Sequence, residues 1–192
     1  LPSGELSLIA PSVLAMARAA KVPVTVHYDH GLTFPRCMEA LKLGFSSVMF
    51  DGSASPYDEN IANTREIVKI AHAMGATVEG EIGHVGQAAE GDDTVTDLYT
   101  QVSEAVAYQK ATGVDALAVS IGTAHGAYKS APKLDLQRLS DIRDAVDVPL
   151  VLHGGSGIEQ DYILRAMENG IAKINVGTEI RQPYEFALEE KP

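Results

Sequence analysis

Short apolar runs alternate with stretches of helical spacing along almost all of this 192-residue chain, and that alternation limits the folds open to it. Residues 6–20 keep Leu6, Ile9, Val13, Leu14 and Ala17 on one helical face, and 22–27 then reads as a strand. Further helices are predicted over 35–43, 57–74, 101–112, 134–146, 160–169 and 179–189. Strands are predicted over 45–50, 76–82, 115–121, 148–152 and 171–176. Gly44 and Gly75 stand where helices should stop. Nearly continuous apolar strands joined by helices call for a parallel sheet covered by helices, either open or closed into a barrel. No Gly-x-Gly-x-x-Gly follows an early strand, which counts against a dinucleotide-binding sheet. Polar residues fit for chemistry end strand after strand instead of gathering at one crevice. The expectation is therefore an α/β chain of the (β/α)8 TIM-barrel type. About six β/α units are visible, against eight in the roughly 250 residues of a typical barrel. Residues 1–192 are expected to form a single partial barrel domain, with the first two strands and the C-terminal helices absent.

A formal net charge of −11 and the absence of Trp argue against a nucleic-acid partner, which needs a basic face and stacking aromatics. A small anionic substrate stays open, because a metal ion and backbone N–H groups can supply local positive potential. Cys37 is the only cysteine, so an internal disulfide and a thiolate zinc site are both excluded, in keeping with a cytoplasmic protein. No apolar stretch approaches membrane-spanning length, and no membrane partner is expected.

Three histidines carry the chemistry. His30, His125 and His153 each lie just past an apolar run and beside a glycine, and three neutral imidazoles with an open fourth position form a common catalytic zinc arrangement. Asp29 precedes His30; it reads either as a turn-capping carboxylate or as a general acid/base beside the metal. Asp51, Glu79 and Glu81 are charges that the apolar pattern does not predict. They either balance interior charges such as Lys173 or, for Asp51 and Glu81, hold a second cation or orient the histidines. His27 shares the predicted strand face of Asp29 and is a candidate to support it, whereas His72 and His84 read as surface residues. Gly154-Gly155-Ser156-Gly157 and Asn175-Val176-Gly177-Thr178 follow the last two strands, where barrels often bind a phosphate. The polar loop over 83–96 reads as a lid or binding loop.

The motifs together resemble the class II, metal-dependent ketose-bisphosphate aldolases, which include fructose-1,6-bisphosphate and tagatose-1,6-bisphosphate aldolases. The resemblance runs through His-Tyr-Asp-His-Gly at His27, Gly-Phe-Ser-Ser-Val-Met-Phe-Asp-Gly-Ser at Gly44, Val-Glu-Gly-Glu-Ile-Gly at Val78 and Thr-Gly-Val-Asp-Ala-Leu-Ala-Val at Thr112. It continues with Gly-Thr-Ala-His-Gly-Ala-Tyr at Gly122, Leu-His-Gly-Gly-Ser-Gly at Leu152 and Lys-Ile-Asn-Val-Gly-Thr-Glu at Lys173. It implies one catalytic Zn2+ on His30, His125 and His153, and Asp29 as the residue handling the proton on the aldehyde half. It also implies Asp51 and Glu81 at a second divalent or monovalent cation site. Gly126, Gly154, Ser156, Asn175 and Thr178 would line the site for dihydroxyacetone phosphate. The implied reaction is reversible cleavage of a ketose 1,6-bisphosphate to dihydroxyacetone phosphate and glyceraldehyde 3-phosphate, by a homodimer or homotetramer. The mobile loop departs from the family pattern. Gly86-Gln87-Ala88-Ala89-Glu90-Gly91 puts Ala89 at the usual glutamate, so Glu90, one place on, is the candidate for exchanging the proton on dihydroxyacetone phosphate. The alternatives are an aldolase for another phosphorylated ketose, such as a deoxy-keto-gluconate phosphate, and a non-catalytic metal- and sugar-phosphate-binding relative.

Overall fold

The computed structural model describes residues 6–88, 98–128 and 131–189. Seven helices and six strands alternate in it, and every strand pairing within the two units described below is parallel. The chain falls into two compact units: Leu1–Glu81 with Lys110–Asp115, and Ile82–Gln109 with Ala116–Pro192.

The first unit runs α1 (Leu6–Ala19), β1 (His27–Gly31), α2 (Phe34–Leu43), β2 (Ser47–Phe50), α3 (Tyr57–Ala73) and β3 (Thr77–Ile82), with β2 between β1 and β3. Its helices begin and end where local chemistry dictates. Pro35 opens α2, where a missing N–H costs nothing. Gly44 closes it in the left-handed conformation at φ 98°, its N–H bonding back to Leu41 O and that of Phe45 to Ala40 O. Asp58 and Glu59 in the first turn of α3 complement the helix dipole. Val48 and Phe50 on one face of β2, and Ser47 and Met49 on the other, are all buried, as a parallel sheet requires. Cys37, Ala40, Leu41, Ile67, Val68 and Ala71 add helix faces to this core; each large aliphatic side chain among them contributes about 1.5–3 kcal/mol by leaving water.

One sequence expectation fails here. The first strand does not run over 22–27 and end at the His-Tyr-Asp-His-Gly motif; the motif is itself the strand, His27–Gly31. Pairing starts where β2 offers partners. Ser46 and Ser47 bond to Val26, and His27 faces Ser47, so 22–25 extends past the end of its neighbour. Val22 and Val24 are exposed, and Val24 lines an open cavity of about 1000 Å³ with Ile9, Val13 and Met16 of α1.

The second unit carries α4 (Val102–Thr112, shared at its end with the first unit), β4 (Ala116–Val119), α5 (Leu136–Ala145), β5 (Leu150–Leu152), α6 (Gln160–Glu168), β6 (Ile171–Ile174) and α7 (Thr178–Glu189). β5 lies between β4 and β6. Leu117, Ala118, Val119, Leu150, Val151 and Leu152 are fully buried, with Leu139 and Ile142 of α5. Thr100, also fully buried, joins segments that would otherwise leave backbone groups bare: its hydroxyl donates to Ile82 O at 2.6 Å and accepts from Ser120 N at 2.8 Å.

Candidate active site

β1 carries a bulge. His27 and Tyr28 face Ser47 and Val48, yet Gly31 faces Phe50, so β1 has one residue more than β2 across this interval. His30 takes up the difference in the left-handed region at φ 47°. Histidine is among the residue types found there most often, at a cost of about 1–3 kcal/mol. Ordinary alternation would send Asp29 and His30 to opposite faces. With the bulge, both reach carboxylates on the same face of β3: His27 and Asp29 gather with Glu79, and His30 and Asp51 with Glu81.

In the second of these groups His30 Nδ1 lies 2.8 Å from Asp51 Oδ2, while Asp51 Oδ1 accepts from Ser53 N at 3.1 Å and from Ser53 Oγ at 2.6 Å. Burial alone would raise the Asp51 pKa, but the bonds from His30 and Ser53 outweigh it and hold the carboxyl at about 2. Burial would lower His30, but the bond to Asp51 and the nearby charges of Asp29 and Glu81 leave it raised. Glu81 is fully buried, and its backbone carbonyl accepts from Asn60 Nδ2 at 2.8 Å. One imidazole and two carboxylates whose ligand atoms lie within 4.8 Å of one another make a donor set suited to a divalent cation. The Asp51–His30 hydrogen bond is the contact through which Asp51 could orient that ring, one of the three roles the sequence left open for it.

In the second unit His125 follows β4 and His153 follows β5. His153 is fully buried, and the two rings meet edge to face with centroids 5.7 Å apart. Backbone pairing of His125 with Gly86 and Ala88 steadies the loop that carries it. Asn175 Nδ2 lies 3.2–3.3 Å from the His153 ring nitrogens. Gly154 is required by two constraints at once: φ is 66°, and a Cβ would collide with the Ala124 carbonyl. Ser156 Oγ accepts from Gly177 N at 3.1 Å and Glu179 N at 3.3 Å, so the two glycine-bearing loops are bound to each other, and its hydrogen remains a donor. Gly157 N donates to Glu179 Oε1 at 2.8 Å. Thr178 opens α7, and Gly126 takes the left-handed conformation at φ 97° beside His125.

Glu90 and Ala89 lie outside the described residues. His72, read as a surface residue, is half-exposed and lies 2.9 Å from Asp115 Oδ2, which also accepts from Val78 N. Tyr128 is the residue that sequence reasoning passed over. Its hydroxyl accepts from Ala124 N and donates to Gly154 O, both at 2.8 Å, tying the loop of His125 to that of His153. The signal was present, since Tyr128 closes the Gly-Thr-Ala-His-Gly-Ala-Tyr motif.

Residues 2–192 match the family model described as fructose-bisphosphate aldolase class-II. The chain belongs to the class II fructose-bisphosphate aldolase family. It is 46% identical over 160 residues to the fructose-bisphosphate aldolase of Staphylococcus aureus, a match covering 82% of this chain and 55% of that protein. It is 48% identical over 159 residues to the 6-phospho-5-dehydro-2-deoxy-D-gluconate aldolase of Shouchella clausii, covering 82% and 54%. The crystal structure of the YdjI aldolase of Escherichia coli K12 superposes with a TM-score of 0.85 at 39% identity, over 97% of this chain and 67% of that one. The matches to the two curated relatives thus take in little more than half of each relative's length.

Proposed function

We propose that this chain carries the zinc-binding and proton-moving residues of an enzyme that reversibly cleaves a ketose 1,6-bisphosphate to dihydroxyacetone phosphate and glyceraldehyde 3-phosphate. The observation that supports this most is the Asp29–His30 pair on one bulged strand, in a chain of this family. In this reading the six strands and their helices belong to a single eight-fold barrel domain, active in the cytoplasm as a homodimer or homotetramer.

His30, His125 and His153 are the proposed zinc ligands, a donor set of three imidazoles that suits zinc with one position left open. When bound, the metal supplies Lewis-acid stabilisation of the negative charge left on the dihydroxyacetone phosphate half. The remaining work falls to side chains. In cleavage, Asp29 takes the proton from the hydroxyl of the aldehyde half as the carbon–carbon bond breaks, and that oxygen becomes the carbonyl of the leaving aldehyde. In condensation, Asp29 returns the proton. Glu90 is the proposed acid/base that exchanges the proton on dihydroxyacetone phosphate. Asp51 holds His30 in register, and with Glu81 offers a second cation site. Gly126, Gly154, Ser156, Asn175 and Thr178 bind the phosphorylated fragment through backbone N–H groups and hydroxyls.

The relative from Shouchella clausii favours a second reading, cleavage of a deoxy-keto-gluconate phosphate. A coupled assay for triose phosphate release, run on fructose 1,6-bisphosphate, tagatose 1,6-bisphosphate and the deoxy-keto-gluconate phosphate, with and without a chelator, decides between them. Release from a bisphosphate that stops on chelation and returns with zinc is the expected result. Turnover that survives complete metal removal would overturn the mechanism, and zinc binding without turnover of any of the three would point to a non-catalytic relative.

A further inference from the structure

Glu79 is a carboxylate with a side chain only 3% exposed, and nothing in the proposed reaction uses it. Its neighbour is His27. One nitrogen of that ring is anchored, since Nδ1 lies 2.8 Å from Ser47 Oγ on β2. The opposite nitrogen is therefore aimed, and Nε2 stands 3.8 Å from Glu79 Oε2 and 3.7 Å from Asp29 Oδ1. The strand register accounts for the grouping. His27 faces Ser47 across the β1–β2 pair, Met49 faces Glu79 across the β2–β3 pair, and Asp29 follows His27 by two residues on the same face.

Exposure differs sharply within the trio. Glu79 is enclosed and His27 is hydrogen-bonded to Ser47 through Nδ1 with Nε2 at ion-pair distance from Glu79, whereas the Asp29 side chain is 48% exposed. We infer that His27, braced by Ser47 and Glu79, is a positioning residue that holds the Asp29 carboxylate in the orientation from which it moves a proton. This rests on the reading of Asp29 given above. It makes Glu79 the back wall of the arrangement: removing its carboxylate lets the imidazole turn away from Asp29 without touching any proposed zinc ligand. Preorganisation of this kind acts on the rate step, because a carboxylate a fraction of an ångström from its productive position still leaves substrate binding intact.

The test is a kcat and KM comparison of His27→Ala, His27→Gln and Glu79→Gln, with bound zinc measured on each. His27→Ala is expected to lower kcat by about 10–100-fold, the range for a residue acting through another, with KM and zinc content unchanged. Gln keeps an N–H close to the position of Nε2, so His27→Gln should recover most of the loss. Glu79→Gln should fall between the two, and it carries the test should His27→Ala not fold. Placed in an Asp29→Ala background, His27→Ala should cost nothing further. Unchanged kcat in both His27→Ala and Glu79→Gln, beside an inactive Asp29→Ala, overturns the inference and spares the reading of Asp29. A fully active Asp29→Ala overturns the reading itself. Loss of a bound metal equivalent in Glu79→Gln would also overturn the inference, since His27, Asp29 and Glu79 would then be cation ligands.

Discussion

The two units of the chain contribute opposite kinds of chemistry. The first concentrates charge: Asp29, Asp51, Glu79 and Glu81 surround two imidazoles on the face of a three-stranded parallel sheet. The second offers one buried imidazole, His153, beside the half-buried His125, with Asn175 and loops that carry glycines. Carboxylates beside histidines set proton positions and orient ligands. Neutral loops rich in N–H donors suit an anion, which the carboxylates of the first unit would repel. The contrast shows how a chain with a net charge of −11 can be compatible with the phosphorylated substrate proposed above: its acidic residues and the glycine-bearing loops proposed to bind the anion are kept on different strands.

Breaking either contribution should give a distinct signature. The largest effect is expected from His125→Ala or His153→Ala, which should abolish zinc binding and turnover together, read by metal analysis and the coupled assay. Asp29→Ala should be nearly as damaging to kcat, by about 10²–10⁴-fold, while zinc stays bound. If Asp29→Ala lost the metal as well, the assignment of separate roles would fail. Asp51→Asn comes next, with an expected loss of about 10–100-fold in zinc affinity. In the metal-free protein the same substitution should also flatten the dependence of stability on pH. Asp51, held at about 2, contributes stability that is present above its ordinary value and lost as pH falls through the depressed one. His30, raised from 6.5, contributes stability that is present below that value and lost as pH rises through the raised one. Denaturant melts of apo wild type and Asp51→Asn from pH 2 to 9 measure both limbs.

Ser156→Ala tests the second unit more gently. It removes the acceptor for Gly177 N and Glu179 N, so about 1 kcal/mol of stability should be lost and KM for the phosphorylated substrate should rise, with kcat little changed. The smallest effect concerns Cys37. Burial pushes its thiol pKa up to about 12, and Sγ lies 3.6 Å from Met49 O, so a thiol reagent should leave the native protein unlabelled at neutral pH and react once it unfolds.

Sequence alone settled which kinds of element alternate along the chain and which residues are candidates for the chemistry. Helical spacing, apolar runs and glycine stops are local properties, and the seven helices and the last five strands of the described residues appear close to where they are read, while the first strand is displaced. That Asp29 and His30 adjoin was legible for the same reason, and a link from Asp51 to a histidine was among the readings left open for it. Their geometry was not legible. The motif was expected in a turn, because a run of valines looks like a strand whether or not a neighbour is there to pair with it. β2 begins to offer partners at Ser46, and that moves the strand onto the motif. The bulge at His30 is likewise a mismatch between two strands about 20 residues apart, with no trace in either alone. Glu79 and Tyr128 gain their meaning from His27, Ala124 and Gly154, contacts made only when separate strand ends meet. Side-chain type is written residue by residue. Which face a side chain reaches, and what stands opposite it, is decided by register between strands, and register exists only in the folded chain.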